Sequence, residues 1–218
     1  MEPPTMEFDH LVIATRDLDQ AKERFLELSG VRPIDGGPHP GRGTRNALVS
    51  LGEGQYLEIL APDPEQDTPE GLMASFPPDG HDEIFHWAIR SQDLPGVARR
   101  ATEVGLKPSP VVAASRVQPS GEPLEWDLMA VGGHGLAGLA PFFIDWKQSI
   151  HPSTNAPWVG ALRAVSFRIP RTSALTYLLD PPAKGVEIVD GEPEIEVQFE
   201  SPEGRITLRG NTPSGFRF

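Results

Sequence analysis

One phrase occurs twice in this chain. Phe8-Asp9-His10-Leu11-Val12-Ile13 leads to Asp17 and then to Gly30-Val31-Arg32-Pro33; Ile84-Phe85-His86-Trp87-Ala88-Ile89 leads to Asp93 and then to Gly105-Leu106-Lys107-Pro108. In both copies a histidine sits mid-strand, seven residues ahead of an aspartate. Such a repeat restricts the fold to one built from a duplicated unit with two equivalent imidazoles, and it points to a site between the copies.

Local physics accounts for each part of the phrase. Residues 8–14 are apolar and β-branched, and strict alternation sends Phe8, His10, Val12 and Ala14 to one face. Asp17 is placed to cap a helix, with Gln20 three residues on, as in a capping box. Leu18, Ala21, Phe25 and Leu28 follow at helical spacing, and Gly30 supplies a left-handed stop. The second copy repeats this with Asp93, Leu94, Val97, Ala101, Val104 and Gly105. Strand-like runs follow at 45–51 and 55–61 in the first copy and at 124–131 and 139–146 in the second, two of the three closing strands of the βαβββ unit read in each copy.

A weaker echo ends the chain. Residues 162–169 alternate as a strand, 172–180 suit a short helix, 185–189 resume as a strand, and 194–209 read as a hairpin turned at Ser201-Pro202-Glu203-Gly204. Val165 or Ser166 stands where the first two units carry histidine, so a structural role is expected here. The expected units are 6–62, 83–146 and 160–210, joined by proline-bearing linkers at 62–82 and 147–160.

Composition excludes several partners. The formal charge of -12, without any cluster of Lys and Arg, argues against nucleic acid and anionic membrane surfaces. No apolar run approaches the roughly 20 residues that span a bilayer, and the N-terminus lacks a signal pattern, so a cytoplasmic location is expected. With no cysteine, any metal would be held by His and carboxylate. Gly-x-Ser-x-Gly is absent, which leaves no serine nucleophile elbow.

Glu58 lies in Tyr56-Leu57-Glu58-Ile59-Leu60, an otherwise apolar strand, where alternation groups it with Tyr56 and Leu60. A buried carboxylate costs several kcal/mol unless compensated, so a cationic partner such as Arg45 or Arg116, a proton, or a cavity is expected beside it.

Taken with the run Gly36-Gly37-Pro38-His39-Pro40-Gly41-Arg42-Gly43-Thr44-Arg45-Asn46-Ala47-Leu48 and with Pro141-Phe142-Phe143-Ile144-Asp145-Trp146, these features make residues 6–152 resemble the glyoxalase-like branch of the vicinal oxygen chelate superfamily, the glyoxalase, bleomycin-resistance and dioxygenase type. The resemblance implies an α+β fold in which tandem βαβββ units with curled mixed sheets pair around a cleft, with the degenerate third unit appended. It also implies a divalent metal (zinc, iron, nickel or manganese) on His10, Glu58 and His86. The fourth family position falls near Phe142 or Phe143, which cannot ligate, and Asp145 could substitute only through a register shift. No organic cofactor is expected.

The glycine-rich loop offers His39, Arg42, Arg45 and Asn46 to an anionic or carbonyl-bearing ligand, and its turn-forming glycines alone would equally suit a solvated loop. Glu58 and His39 are the candidate catalytic residues. Arg45, Asn46, Arg116, Trp126, Trp146 and His151 are the candidate substrate contacts, with Arg116 fixing a carboxylate and Trp126 walling the pocket. Two functions remain open: a lyase, isomerase or dioxygenase acting on a small polar molecule, or a metal-free protein that binds one, as drug-sequestering superfamily members do. A monomer or a homodimer would serve either.

Overall fold

The computed structural model describes residues 5–52, 54–69, 73, 76–78, 80–117, 121–136 and 139–210. The first copy forms β1 (Glu7–Ala14), α1 (Leu18–Ser29), β2 (Ile34–His39), β3 (Thr44–Gly52) and β4 (Gln55–Pro62). The second forms β5 (Glu83–Arg90), α2 (Leu94–Glu103), β6 (Lys107–Pro108), β7 (Val112–Val117), β8 (Pro123–Met129), β9 (Val131–Gly132) and β10 (Phe142–Asp145). Both helices start as the sequence dictates: Asp17 accepts from the Gln20 amide at 3.0 Å, and Asp93 from the Gly96 amide at 2.8 Å. Gly30 ends α1 at φ 76°, the left-handed region that suits glycine.

The two copies share one eight-stranded sheet in the order β2-β3-β4-β1-β5-β10-β8-β7. Each first strand runs parallel to its own unit's last strand, and β1 meets β5 antiparallel at the centre. The sheet curls until its edges approach each other, where Gly36 and Gly37 of β2 face Arg116 and Val117 of β7. On the convex side Phe8, Leu11, Ile13, Leu57, Trp87 and Ile89 pack against Phe25 of α1 and Val97 of α2. The concave side carries Leu48, Tyr56, Leu124, Trp126, Ile144 and Trp146.

Residue Phe8 departs from strict alternation. The pairing of β1 with β5 slips once between Phe8 and His10 and again opposite Phe85, so each histidine is preceded by one extra residue, Asp9 or Phe85. A bulge inserts a residue without a partner and reverses the phase of what precedes it. Phe8 therefore enters the convex core with Leu11, while His10 and Val12 face the concave side.

The chain ends in β11 (Leu162–Ile169), α3 (Ala174–Leu178), β12 (Glu187–Asp190), β13 (Glu194–Ser201) and β14 (Gly204–Gly210). Their element order repeats βαβββ, but the sheet runs β12-β11-β13-β14, with β12 parallel beside β11 instead of at the far edge. This sheet covers the convex face: Phe167 meets Trp87 edge-on at 5.0 Å, and the Phe8 amide donates to Lys184 O at 2.9 Å. Among the described residues no helix is long and apolar enough to cross a membrane.

Candidate functional site

The concave faces of β3, β4, β1, β5, β10, β8 and β7 enclose a cavity of about 250 Å³. His10, His39, Asn46, Glu58, His86, Arg116, Trp126 and Trp146 all line it. Arg45 and His151 do not. Thr44, Asn46 and Leu48 alternate to the concave side of β3, which turns Arg45 outward to within 3.7 Å of Asp19 on α1. His151 sits behind the cavity wall, edge-on to Tyr56 and Trp146.

Glu58 is 8% exposed and its compensation comes from an amide instead of an arginine. Asn46 Nδ2 donates to Glu58 Oε1 at 2.7 Å and lies 3.3 Å from His39 Nε2, while Asn46 Oδ1 accepts from Arg116 Nη1 at 2.7 Å. Asn46 thus has its oxygen and both amide protons engaged, which fixes which way it points. The Arg116–Asn46 contact also crosses the seam between the sheet's two edges. A side chain at 36 would have to push this pair of side-chain ends aside, since its Cβ would collide with Asn46 Oδ1 and lie 2.8 Å from Arg116 Nη1.

The three histidines differ in surroundings. His39 Nδ1 is 2.9 Å from Thr44 Oγ1, and burial, opposed by the charge of Glu58 and aided by Arg116 and Arg42, lowers its pKa. His10 stacks on Tyr56 at 4.4 Å, meets Phe142 edge-on at 5.4 Å, and places Nε2 3.6 Å from Glu58 Oε2. His86 lies among apolar groups, edge-on to Phe142 at 5.3 Å and to Phe85 at 6.1 Å. Burial, with the charges of His10 and His134, pushes its pKa down to about 4, and its Nδ1 has no partner among the described residues. Arg116 Nε is likewise buried without a partner among them, and burial, against the pull of Glu58 and Tyr56, lowers that guanidinium's pKa.

Asp9 is the residue that alternation missed. It is fully buried, and its carboxylate receives His10 Nδ1 at 2.6 Å, Trp146 Nε1 at 3.1 Å, His151 Nε2 at 3.1 Å and Arg90 Nη1 at 3.4 Å. Burial raises its pKa, but the hydrogen bonds from His10 and His151 outweigh this and hold it well below the usual carboxylate range. The signal was present: a carboxylate within an apolar strand demands the same compensation as Glu58. Tyr56, which alternation marks only as a face-mate of Glu58, sits between His10 and His151, and burial raises its pKa well above the ordinary value.

As placed, these residues do not fit a divalent ion. His10, Glu58 and His86 share the cavity, but among the described residues no three His, Asp or Glu side chains come together as a ligand set. Glu58 Oε1 is taken by Asn46, and the fourth family position holds Phe142. Asp145 does not substitute, since it caps the Lys147 amide at 2.8 Å instead of lining the cavity.

A curled sheet of two βαβββ units around a polar-floored cavity defines a glyoxalase-type protein. The profile of the glyoxalase-like domain family matches residues 8–182, and the chain belongs to that family, within the vicinal oxygen chelate superfamily. The match runs past β10 through α3. No curated protein sequence matches. Among solved structures, a hypothetical protein from Staphylococcus aureus aligns over 98% of this chain and 88% of its own, with TM-score 0.63 and 16% identity. Methylmalonyl-CoA epimerase from Mycobacterium tuberculosis aligns over 65% of this chain and 88% of its own, with TM-score 0.43 and 19% identity. The Streptomyces coelicolor epimerase with 2-nitronate-propionyl-CoA aligns over 68% and 99%, with TM-score 0.46 and 19% identity.

Proposed function

We propose that the cavity takes a small molecule bearing a carbonyl and a carboxylate, and that Glu58 moves a proton at the carbon beside the carbonyl, the chemistry of an isomerase or lyase. The observation that carries this reading is the division of labour at Glu58. Asn46 holds Oε1 at 2.7 Å, whereas Oε2 of this cavity-lining side chain has, among the described residues, only His10 near it, at 3.6 Å. A base must reach the proton it takes, and a carboxylate with one oxygen anchored and the other free meets that condition.

In this reading Oε2 takes the proton, the C–H electron pair becomes the C=C bond of an enolate, and the carbonyl oxygen gains the negative charge. The Arg116 guanidinium, which lines the cavity, binds the ligand's carboxylate and offsets that charge. Glu58 then returns the proton to that carbon, the C=C electron pair takes it up, and the carbonyl re-forms. His39, tied to Thr44 and Asn46, supports this chain of contacts from behind. Arg45, turned to Asp19, has no part in it. The proposed proton transfer requires no metal-bound step, and the dioxygenase reading lacks a ligand set for iron among the described residues.

The aromatic wall of Phe85, Trp126, Phe142 and Trp146 supports a second reading, binding without chemistry. One experiment separates them: individual 2-oxo and 3-oxo carboxylates are titrated by calorimetry and then incubated with the protein in D₂O. Loss of the α-proton signal, abolished in Glu58→Gln while binding persists, supports the proton-transfer reading. Binding without exchange supports sequestration, and no binding by any member of either series overturns both.

A further inference from the structure

We propose that Asp9 is a positioning residue: it fixes the tautomer of His10, turning Nδ1–H to the carboxylate and the Nε2 lone pair to Glu58 and the cavity. This goes beyond the role given to Glu58 and is tested in the ligand-free protein, so its failure leaves that role standing.

The inference starts from the inventory of donors. Trp146 Nε1 and the Arg90 guanidinium can only donate, so the carboxylate between them must act as an acceptor. An ionised carboxylate has no proton to give His10 Nδ1 at 2.6 Å, so the ring nitrogen carries it. The other ring nitrogen is then the one that lies 3.6 Å from Glu58 Oε2. With Nδ1 protonated, Nε2 of the neutral ring is an acceptor toward the cavity. The stack on Tyr56 at 4.4 Å and the edge of Phe142 at 5.4 Å keep the ring from turning over.

The second copy is a natural control. Its bulge residue is Phe85 where the first copy has Asp9, and there the equivalent His86 Nδ1 has no partner. One imidazole of the pair is thus oriented by a carboxylate and the other is not, although both line the same cavity.

The substitution Asp9→Asn makes a directional prediction. An amide offers one acceptor and one donor group where the carboxylate offered two acceptors. Arg90 faces Oδ2 and cannot accept, so the amide oxygen belongs on that side and the NH₂ faces His10 Nδ1. Nδ1 must then accept, and the ring proton moves to Nε2.

Long-range ¹H–¹⁵N correlation spectra of ¹⁵N-histidine-labelled protein read this directly. The expected wild-type result is a His10 ring protonated at Nδ1 and bare at Nε2. A proton on Nε2, with or without one on Nδ1, overturns the proposal. In Asp9→Asn the expected result is a shift to Nε2–H with the remaining histidine signals in place; an unchanged Nδ1–H ring overturns it. Trp146→Phe and His151→Gln each remove a different donor from Asp9, and both are expected to leave the His10 tautomer as in wild type. They keep the test open if Asp9→Asn does not fold, and a tautomer change in either one counts against the assignment to Asp9.

Discussion

Replacing His86 by phenylalanine is expected to flatten the acid side of the stability profile. Burial among Phe85 and Phe142 pushes this imidazole down to about 4, from an ordinary value of 6.5. Between those two values the unfolded chain binds a proton that the folded chain refuses. The linked stability is therefore fully present above the ordinary pKa and is lost as the pH falls toward the folded one. Integrating the linkage gives a loss of about 2 kcal/mol between about pH 7 and about pH 5, rising to about 3 kcal/mol below the folded pKa. A phenyl ring occupies a similar space, carries no proton, and removes the buried Nδ1 that has no partner. Urea unfolding of both proteins at several values across this range measures the difference, because the other acid-sensitive groups are common to both. Wild type should lose about 2 kcal/mol more than His86→Phe on going from neutral to about pH 5. Parallel profiles, or a His86 midpoint near the ordinary value in an NMR titration, would refute the reasoning.

Plasma mass spectrometry of protein purified without chelator is expected to find zinc, iron, nickel and manganese each far below one per chain; a stoichiometric metal lost on His10→Ala would reverse the reading of the donor set. Gly36→Ala should part Asn46 from Arg116 and cost about 1.5–3 kcal/mol in urea unfolding, the range for a hydrogen bond to a charged group. Arg116→Met should weaken a bound carboxylate by about tenfold or more and leave the matching primary amide nearly unchanged, as calorimetry would show. Trp87→Ala should destabilise by about 3–5 kcal/mol, since that fully buried ring joins the eight-stranded sheet to Phe167 and gives its Nε1–H to Leu139 O at 2.6 Å.

Much of this fold was legible because its signals are local. Asp17, Gly30 and Asp93 act within a turn of their own positions, and the strand at 162–169 coincides with β11. The sheet order of the third unit was not legible, because nothing in a run of residues states which strand lies beside it. Contacts of Glu58 were half legible. Its isolation in an apolar strand announced a cationic partner, a proton or a cavity; it lines the cavity, and its closest hydrogen bond comes from Asn46, with Arg116 one bond further out. Arg45 lies outside the cavity lining for a simpler reason: it stands next to Asn46, and neighbours on a strand face opposite ways.

The bulges explain the remaining miss and what the duplication is for. Alternation read through Asp9 as though it were paired, which put Phe8 and His10 on one face; the extra residue breaks that phase in both copies at the same point, so the device was duplicated along with the unit. What differs is the side chain at the bulge. In the first copy it is a carboxylate that engages Trp146, His151 and Arg90 and gives His10 a direction. In the second it is Phe85, which stacks on Phe76 at 6.0 Å and lines the cavity beside a histidine held neutral by burial. One scaffold position has thus become an orienting charge on one side and an apolar wall on the other. The cavity is polar at Glu58 and His10 and apolar around His86 for that reason, and a ligand that satisfies it must be asymmetric in the same sense.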